Sequence, residues 1–491
     1  MHGSAPHEIE MWADSFHEGT WACDQLAILH KAAGGTHSVA FEHGYIPVHD
    51  FGGTGWTARI TVYGSYAAWD NRPPAIDALI RWGKPDFVAF DVERQAILFA
   101  VEESAATPTG NQALQRCERQ FGAANQRVPF WYLLSEYGMH VDGNARRDSI
   151  WPTIMGLTLS AAFAVPSVVL HYADLDNPED YSAGTGLRSL FNGLLAILRN
   201  AATGAAPLDG AHDSLRTQYR EMLDFTARQW PNQIDFLPSA ELLREEGVAA
   251  QIAAAATGSG IRSELFTWPL TRDLPPVARE AQVARTLIKD DPLVTLFEGD
   301  VRRGVAYGLS GRSGSRPQNE DSVAEWVAAQ AALFAVAPRL SPPASFTLSL
   351  GDFPESDSGR RHLTTGRRIT YLYDRWGDLR MALEAAYPRL RGSLDGTADE
   401  EPSIAYVSNS LKPGRVFGDP FTGQIAALAV ALGRYGDPPR RMVAYFPHQV
   451  HAQVADPVAR STKGAVILGE MTDLVVFHAG VAVDFDAGRI I

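Results

Sequence analysis

A chain of 491 residues is longer than one ordinary core organises, so two or three domains are expected. Its composition, 45% hydrophobic and 20% charged, is that of a soluble globular protein, and no apolar run of about 18 residues is free of polar interruption, which excludes a membrane-spanning helix. The net charge of -14 divides into -9 over residues 1–205 and -5 over the rest, which excludes a wholly basic nucleic-acid-binding domain but leaves room for local arginine stripes. The first residues, "MHGSAPHEIEMW", lack the basic-then-apolar order of a secretory signal. Cys23 and Cys117 are the only cysteines, as in a reduced, cytoplasmic protein.

In chain order, "WACDQLAILHKAA" has helical spacing, and "ARITVYGSY", "PDFVAFDVE" and "QAILFAVEE" read as strands, the last two as a hairpin. A helix follows in "GNQALQRCERQFGAA", opening after Thr109 and Gly110. "VPFWYLLSEYG" is a buried strand, "WPTIMGLTLSAAFA" a helix, "PSVVLHYA" another buried strand and "LRSLFNGLLAILR" an apolar helix. Helices alternating with apolar strands predict an α/β domain built on a mixed sheet. The Ala-, Gly- and Pro-rich "NAATGAAPLDGAHDS" predicts a boundary near residue 205. Residues 206–320 then read as a linker or helical middle region, and residues 321–491 as a C-terminal α/β targeting or partner-binding domain of unassigned fold. No repeat of 20–50 residues is evident, so solenoids and propellers are not expected.

The stretch "KPDFVAFDVERQAILFAVEESAATPTGNQALQR" concentrates the chemistry. Asp86 opens one strand and Glu102–Glu103 close the next, so a hairpin brings carboxylates together, Asp86 sharing a face with only one of the two glutamates. Carboxylates ending an apolar strand need a partner, and a hard cation such as Mg²⁺ (or Mn²⁺) is the economical one. The competing reading is structural. Asp86 then bonds backbone amides at a strand start, and Glu102 and Glu103 pair with Arg116 or Arg119.

This order resembles the PD-(D/E)XK nucleases, the restriction-endonuclease-like superfamily, over roughly residues 20–200. Pro85–Asp86 matches the first half of that motif, and Glu103-Ser104-Ala105 matches the second at its glutamate, with Ala105 where the lysine belongs. The alternative alignment, Glu102-Glu103-Ser104, puts Ser104 there. The resemblance implies metal ligation by Asp86, Glu102 and Glu103, and a glutamine, Gln112 or Gln115, near the site. It implies Mg²⁺-dependent phosphodiester hydrolysis, on DNA, in a prokaryotic restriction or antiviral defence setting. For the missing lysine three accounts stay open. The site has degenerated naturally; another basic residue such as Lys84 substitutes; or lysine has been changed to alanine, inactivating an otherwise complete site. The retained carboxylates favour the last, because a decaying site loses them too. The alternative function is a non-catalytic nuclease-fold subunit that scaffolds a nucleic-acid-guided partner such as a short Argonaute. A protein partner or homo-oligomer is compatible with either.

Further along, Arg360, Arg361, Arg367 and Arg368, with Tyr371, Tyr373 and Trp376, form a basic and aromatic stretch suited to phosphates and bases, or to a solvated face. Lys412 and Arg415 lie in a Gly- and Pro-rich segment before an apolar helix, where backbone amides can hold an anion and Asp419 a metal. His448, His451 and Glu470 are a conceivable metal set that matches no zinc module, and polar loops at strand ends are the plainer account.

Overall fold

A computed structural model describes residues 5–104, 116–135, 151–172 and 187–229, and shorter stretches between 305 and 491. The chain divides into two compact units, one of Met1–Pro108 and Gln112–Phe266, the other of Thr109–Asn111 and Thr267–Ile491. Among the described residues no helix is long and apolar enough to cross a membrane.

The first unit runs β1 (His7–Ala13), α1 (Phe16–Ala32), β2 (Thr36–Glu42), β3 (Ile46–Gly53), β4 (Trp56–Gly64), α2 (Pro74–Ile80), β5 (Phe87–Asp91), β6 (Ala96–Ser104) and α3 (Cys117–Asn125). It continues through β7 (Phe130–Ser135), α4 (Trp151–Phe163), β8 (Ser167–Tyr172), α5 (Leu187–Ala202) and α6 (His212–Gln229). The eight strands form one mixed sheet in the order β2-β3-β4-β1-β5-β6-β7-β8. β1 is parallel to β4, β6 to β7 and β7 to β8, while β5 is antiparallel to β1 and β6. The carboxyl ends of β1, β4, β6, β7 and β8 therefore line one edge, and the start of β5 joins them. In open α/β sheets that edge is where ligands bind.

Strands β5 to β8 are apolar almost throughout because helices cover both faces. Trp21 of α1 meets Phe87 and Phe191 edge-on, placing α1 and α5 on one face, and α6 joins them where Trp131 Nε1 donates to Gln218 at 2.8 Å. On the other face Trp82 packs on Phe121 of α3, and Phe121 on Phe163 of α4. Helix α1 starts where it does because "SFHE" is a capping box: Ser15 accepts from the Glu18 amide at 3.2 Å, and the Glu18 carboxylate returns a bond to the Ser15 backbone. Its first turn sits hard against β4. A Cβ on Gly64 would fall 2.3 Å from the Phe16 nitrogen, and one on Gly19 2.6 Å from a Val62 methyl.

The mixed α/β class and the large sheet flanked by helices agree with expectation. The boundary expected at 205 falls inside the first unit. "NAATGAAPLDGAHDS" is a tight connection, closed by the Asn200 amide donating to Pro207 O and Asp209 O at 3.1 and 2.8 Å. Helix α6, assigned above to the middle region, packs on β8.

In the second unit, β9 (Val305–Gly308), β10 (Thr347–Ser349), β11 (Arg368–Tyr373), β12 (Ser403–Ser410), β13 (Arg441–Phe446), β14 (Leu474–Phe477), β15 (Ala482–Asp484) and β16 (Arg489–Ile490) form a sheet in the order β10-β9-β11-β12-β13-β14-β15-β16. β12, β13 and β14 are parallel, and α7 (Lys463–Met471) leads into β14, burying Ile467 and Leu468. Asp473 accepts two bonds from Arg434, at 2.5 and 2.6 Å, and one from the Met442 amide at 2.6 Å, a structural role.

Candidate active site

The edge formed by the carboxyl ends of β1, β4 and β6 carries the carboxylates. Three contacts fix the backbone beside Asp86. The buried Tyr66 hydroxyl donates to Trp12 O at 3.2 Å and to Pro85 O at 3.0 Å, and the Asp14 amide donates to Asp86 O at 3.0 Å. The β5–β6 register pairs Phe87 with Val101, so position 86 stands opposite Glu102. Glu102 and Tyr132 are cross-strand partners on the α3 face. Glu103 faces the other way and receives the Tyr172 hydroxyl. The Asp86 carboxylate turns along the strand end and accepts from the Glu103 amide.

Glu102 is fully buried. Arg116 and Arg119, from the start of α3, both donate to its Oε1, and Arg116 also donates to Glu103 O at 2.7 Å and lies 3.9 Å from Asp86. This is the arginine pairing that the competing reading of the sequence anticipated, and it holds for Glu102. Yet among the described residues Glu102 Oε2 has no hydrogen-bond partner, and neither does Oε2 of Glu18. Burial first, and then the charges of Asp14 and Glu102, raise the Glu18 carboxyl above its usual range against the opposing pull of the capping-box contacts with Ser15. Glu18 lies 84 residues before Glu102, and beyond its place in the capping box nothing in the sequence ties it to this site.

A comparison within β5 shows what is unusual. Asp91, at the far end of the strand, accepts from the amides of Glu93 and Arg94 at 3.0 and 2.9 Å, from the Arg94 guanidinium at 2.7 Å and from His7 at 3.0 Å. Burial pushes its pKa up, but those donors outweigh it and the net shift is down. Asp86 has one amide and a guanidinium at 3.9 Å. Burial first, then the charge of Glu102, raise its pKa well above the ordinary value of 3.8. One aspartate is saturated with donors, while the other is short of positive charge.

That shortage has a sign. Because the folded-state pKa of Asp86 is raised, the native protein binds the proton more tightly than the unfolded chain does. Stability is therefore lost as pH climbs from the ordinary aspartate value through the raised one. Asp86→Asn keeps an oxygen to accept from the Glu103 amide and removes the charge. Its melting temperature should exceed the parent's at pH 7, and the gain should shrink as pH falls toward 4. Equal pH profiles for the two proteins would refute the shift.

No match to this chain was found among family models, curated proteins or solved structures. The site's chemistry therefore rests on its own geometry.

Of the predicted site residues, the structure brings Asp86, Glu102 and Glu103 to one edge, with Glu103 on the opposite face from Glu102. Ala105, Gln112 and Gln115 lie outside the described residues, as do Arg360, Arg361, Arg367, Trp376, Lys412, Arg415, Asp419, His448 and His451. Arg368, Tyr371 and Tyr373 are in β11, where Arg368 pairs with Ser410. Lys84, the substitute considered for the missing lysine, lies 4.0 Å from Asp14 on the exposed side of the edge. Among the described residues no three His, Cys, Asp or Glu side chains are grouped to hold an ion. Glu102 turns to its arginines instead. The donor set nevertheless suits a hard cation. Among the described residues two buried carboxylate oxygens lack partners, and Asp86 lacks compensating charge.

Proposed function

We propose that the first unit is a divalent-metal-dependent nuclease, hydrolysing phosphodiester bonds in DNA at the edge where β5 and β6 meet. The observation that carries this reading is the contrast between two aspartates at the ends of one strand: Asp91, buried and fully neutralised, and the partly exposed Asp86 just before Phe87, under-neutralised beside a buried glutamate with one oxygen unpartnered among the described residues. Asp86 and Glu102 would hold Mg²⁺ or Mn²⁺, with Glu18 reaching the same edge from α1. When bound, such an ion supplies charge stabilisation to the phosphate and a more acidic water. Arg116, 3.9 Å from Asp86, adds positive charge next to the place a phosphate would take.

The register favours the second motif alignment. Glu102 and Ser104 share the face that position 86 stands opposite, and Ser104 hydrogen-bonds with Tyr132 there. Ser104 is then where the lysine is missing, and the parent chain is a slow enzyme. Thermal melting with Mn²⁺ and plasmid nicking test this on the parent and Asp86→Asn. The ion should raise the parent's melting temperature and support slow nicking, and both effects should vanish in Asp86→Asn. An ion-independent melting temperature together with an uncut plasmid would sink the metal reading.

A second reading has its own observation. Arg116 and Arg119 already neutralise Glu102, as a subunit that binds nucleic acid without cutting it would tolerate. That reading gains if nucleic acid is bound by the parent and by every variant but never cleaved.

A further inference from the structure

The two edges of the first unit's sheet are finished differently. At β8, the Ser167 amide donates to Ser160 Oγ at 3.1 Å and to the Tyr219 hydroxyl at 3.3 Å, and the Val169 amide meets Met222 Sδ at 3.3 Å. Side chains of α4 and α6 thus close that edge. At the other end, β2 pairs among the described residues only with β3, and six of its seven residues are exposed. Natural sheets protect such edges with lysines, prolines or bulges. "THSVAFE" has none of these, and it pairs with β3 in unbroken register.

The same corner gathers the exposed apolar side chains. Five large hydrophobic residues are exposed among those described, and four of them, Ile28, Val39, Phe41 and Tyr45, at 57%, 46%, 62% and 59%, belong to α1, β2 and the turn after it. Val39 and Phe41 alternate on the sheet face that carries His37, which packs on Phe51 together with His30 of α1. An open strand edge beside an apolar patch is an association surface.

We propose that β2 pairs antiparallel with β2 of a second copy, about a two-fold axis through Val39, extending the sheet across the dimer. Self-complementarity argues for a second copy as the occupant. In the register that uses all seven residues, Thr36 faces Glu42, His37 faces Phe41, Ser38 faces Ala40 and Val39 faces itself. The only carboxylate of the strand meets a threonine, so no like charges are opposed. A two-fold axis normal to the sheet also puts both copies' α1 faces on the same side, which joins their apolar patches. Because β8 is sealed, head-to-tail growth is blocked and the assembly closes at two.

Cysteine cross-linking reads the register. Cys23 and Cys117 are fully buried, so the parent should not cross-link on its surface under copper-phenanthroline. Val39→Cys should form a disulfide-linked dimer, since facing Cα atoms in an antiparallel pair lie about 4.5–5.5 Å apart, within disulfide reach. His37→Cys and Phe41→Cys should each remain uncross-linked alone and cross-link when mixed. In sedimentation equilibrium the parent should dimerise with concentration. Val39→Glu, a change at an exposed site that sets two charges against each other, should weaken the dimer at least tenfold. A parent that is monomeric at every concentration overturns the proposal. So does a dimer that survives Val39→Glu, or one in which Phe41→Cys self-links as readily as Val39→Cys.

Discussion

Ser104→Lys should raise Mg²⁺-dependent plasmid cleavage by about 10²–10³-fold over the parent, the usual scale for one preorganised group that stabilises transition-state charge. The lysine would enter on the face shared by Glu102 and Tyr132, two residues along β6 from Glu102, which is the position opposite Asp86. The gain should appear in turnover and leave substrate binding nearly unchanged, because charge on the phosphate develops mainly in the transition state. Adding Asp86→Asn should abolish it. Ala105→Lys is the matched comparison, since it serves the alignment built on Glu103, whose side chain bonds Tyr172 on the opposite face. If only Ala105→Lys cuts, Asp86 works with Glu103 and the pairing argued from register is wrong. If neither cuts DNA or RNA, catalysis is ruled out and the binding reading stands.

The largest stability effect should come from Arg119. Its guanidinium is 14% exposed and donates to Glu102, which is wholly buried. Burial opposes its charge, but Glu102 outweighs that and holds the arginine pKa above its usual value. Arg119→Met would leave Glu102 in the interior with Arg116 alone. Removing one partner of a buried pair costs about 3–5 kcal/mol, because the remaining charge keeps its desolvation penalty. Combining Arg119→Met with Glu102→Leu should recover most of that loss, because it removes the stranded carboxylate while Arg116 keeps the Glu103 carbonyl and Asp86 as partners. Urea unfolding at pH 7 measures both. A double variant no more stable than the single one would show that Glu102 stabilises through packing and not through its charge.

Legibility in the sequence followed apolar patterning. Strands β5 to β8 and helices α1, α4 and α5 were readable because burial on two faces forces near-continuous apolar runs and burial on one face forces a helical stripe. Strand β1, "HEIEMWA", is equally central and went unread. Its glutamates disguise it, although Glu10 merely accepts from the Trp12 indole at 2.9 Å. Strand β2 is hidden for the opposite reason, since an edge strand exposed on both faces carries no apolar run of the kind that marks β5 to β8. Helix α6 was lost behind a segment whose glycines and prolines suggested a linker. In the site, Asp86 and Glu102 were visible as a motif, and so were the arginines that could pair with them. The influence of Glu18 was not, because a residue that caps a distant helix gives no local sign that its charge is felt by Asp86 and Glu102.

The clamp of Arg116 and Arg119 on Glu102 separates the survival of this fold from the occupation of its site. Metal centres that hold a fold together are lost only with the fold, so their lineages keep them or disappear. Here the fully buried Glu102 keeps its counter-charge whether or not an ion ever arrives. On the nuclease reading proposed above, a population of such proteins would drift between cutting and merely holding a nucleic acid by changes at one or two positions on β6, without crossing an unfolded intermediate. Silence at this site would then be reversible within an evolutionary lineage, and descendants of a quiet ancestor could regain the reaction on an intact scaffold.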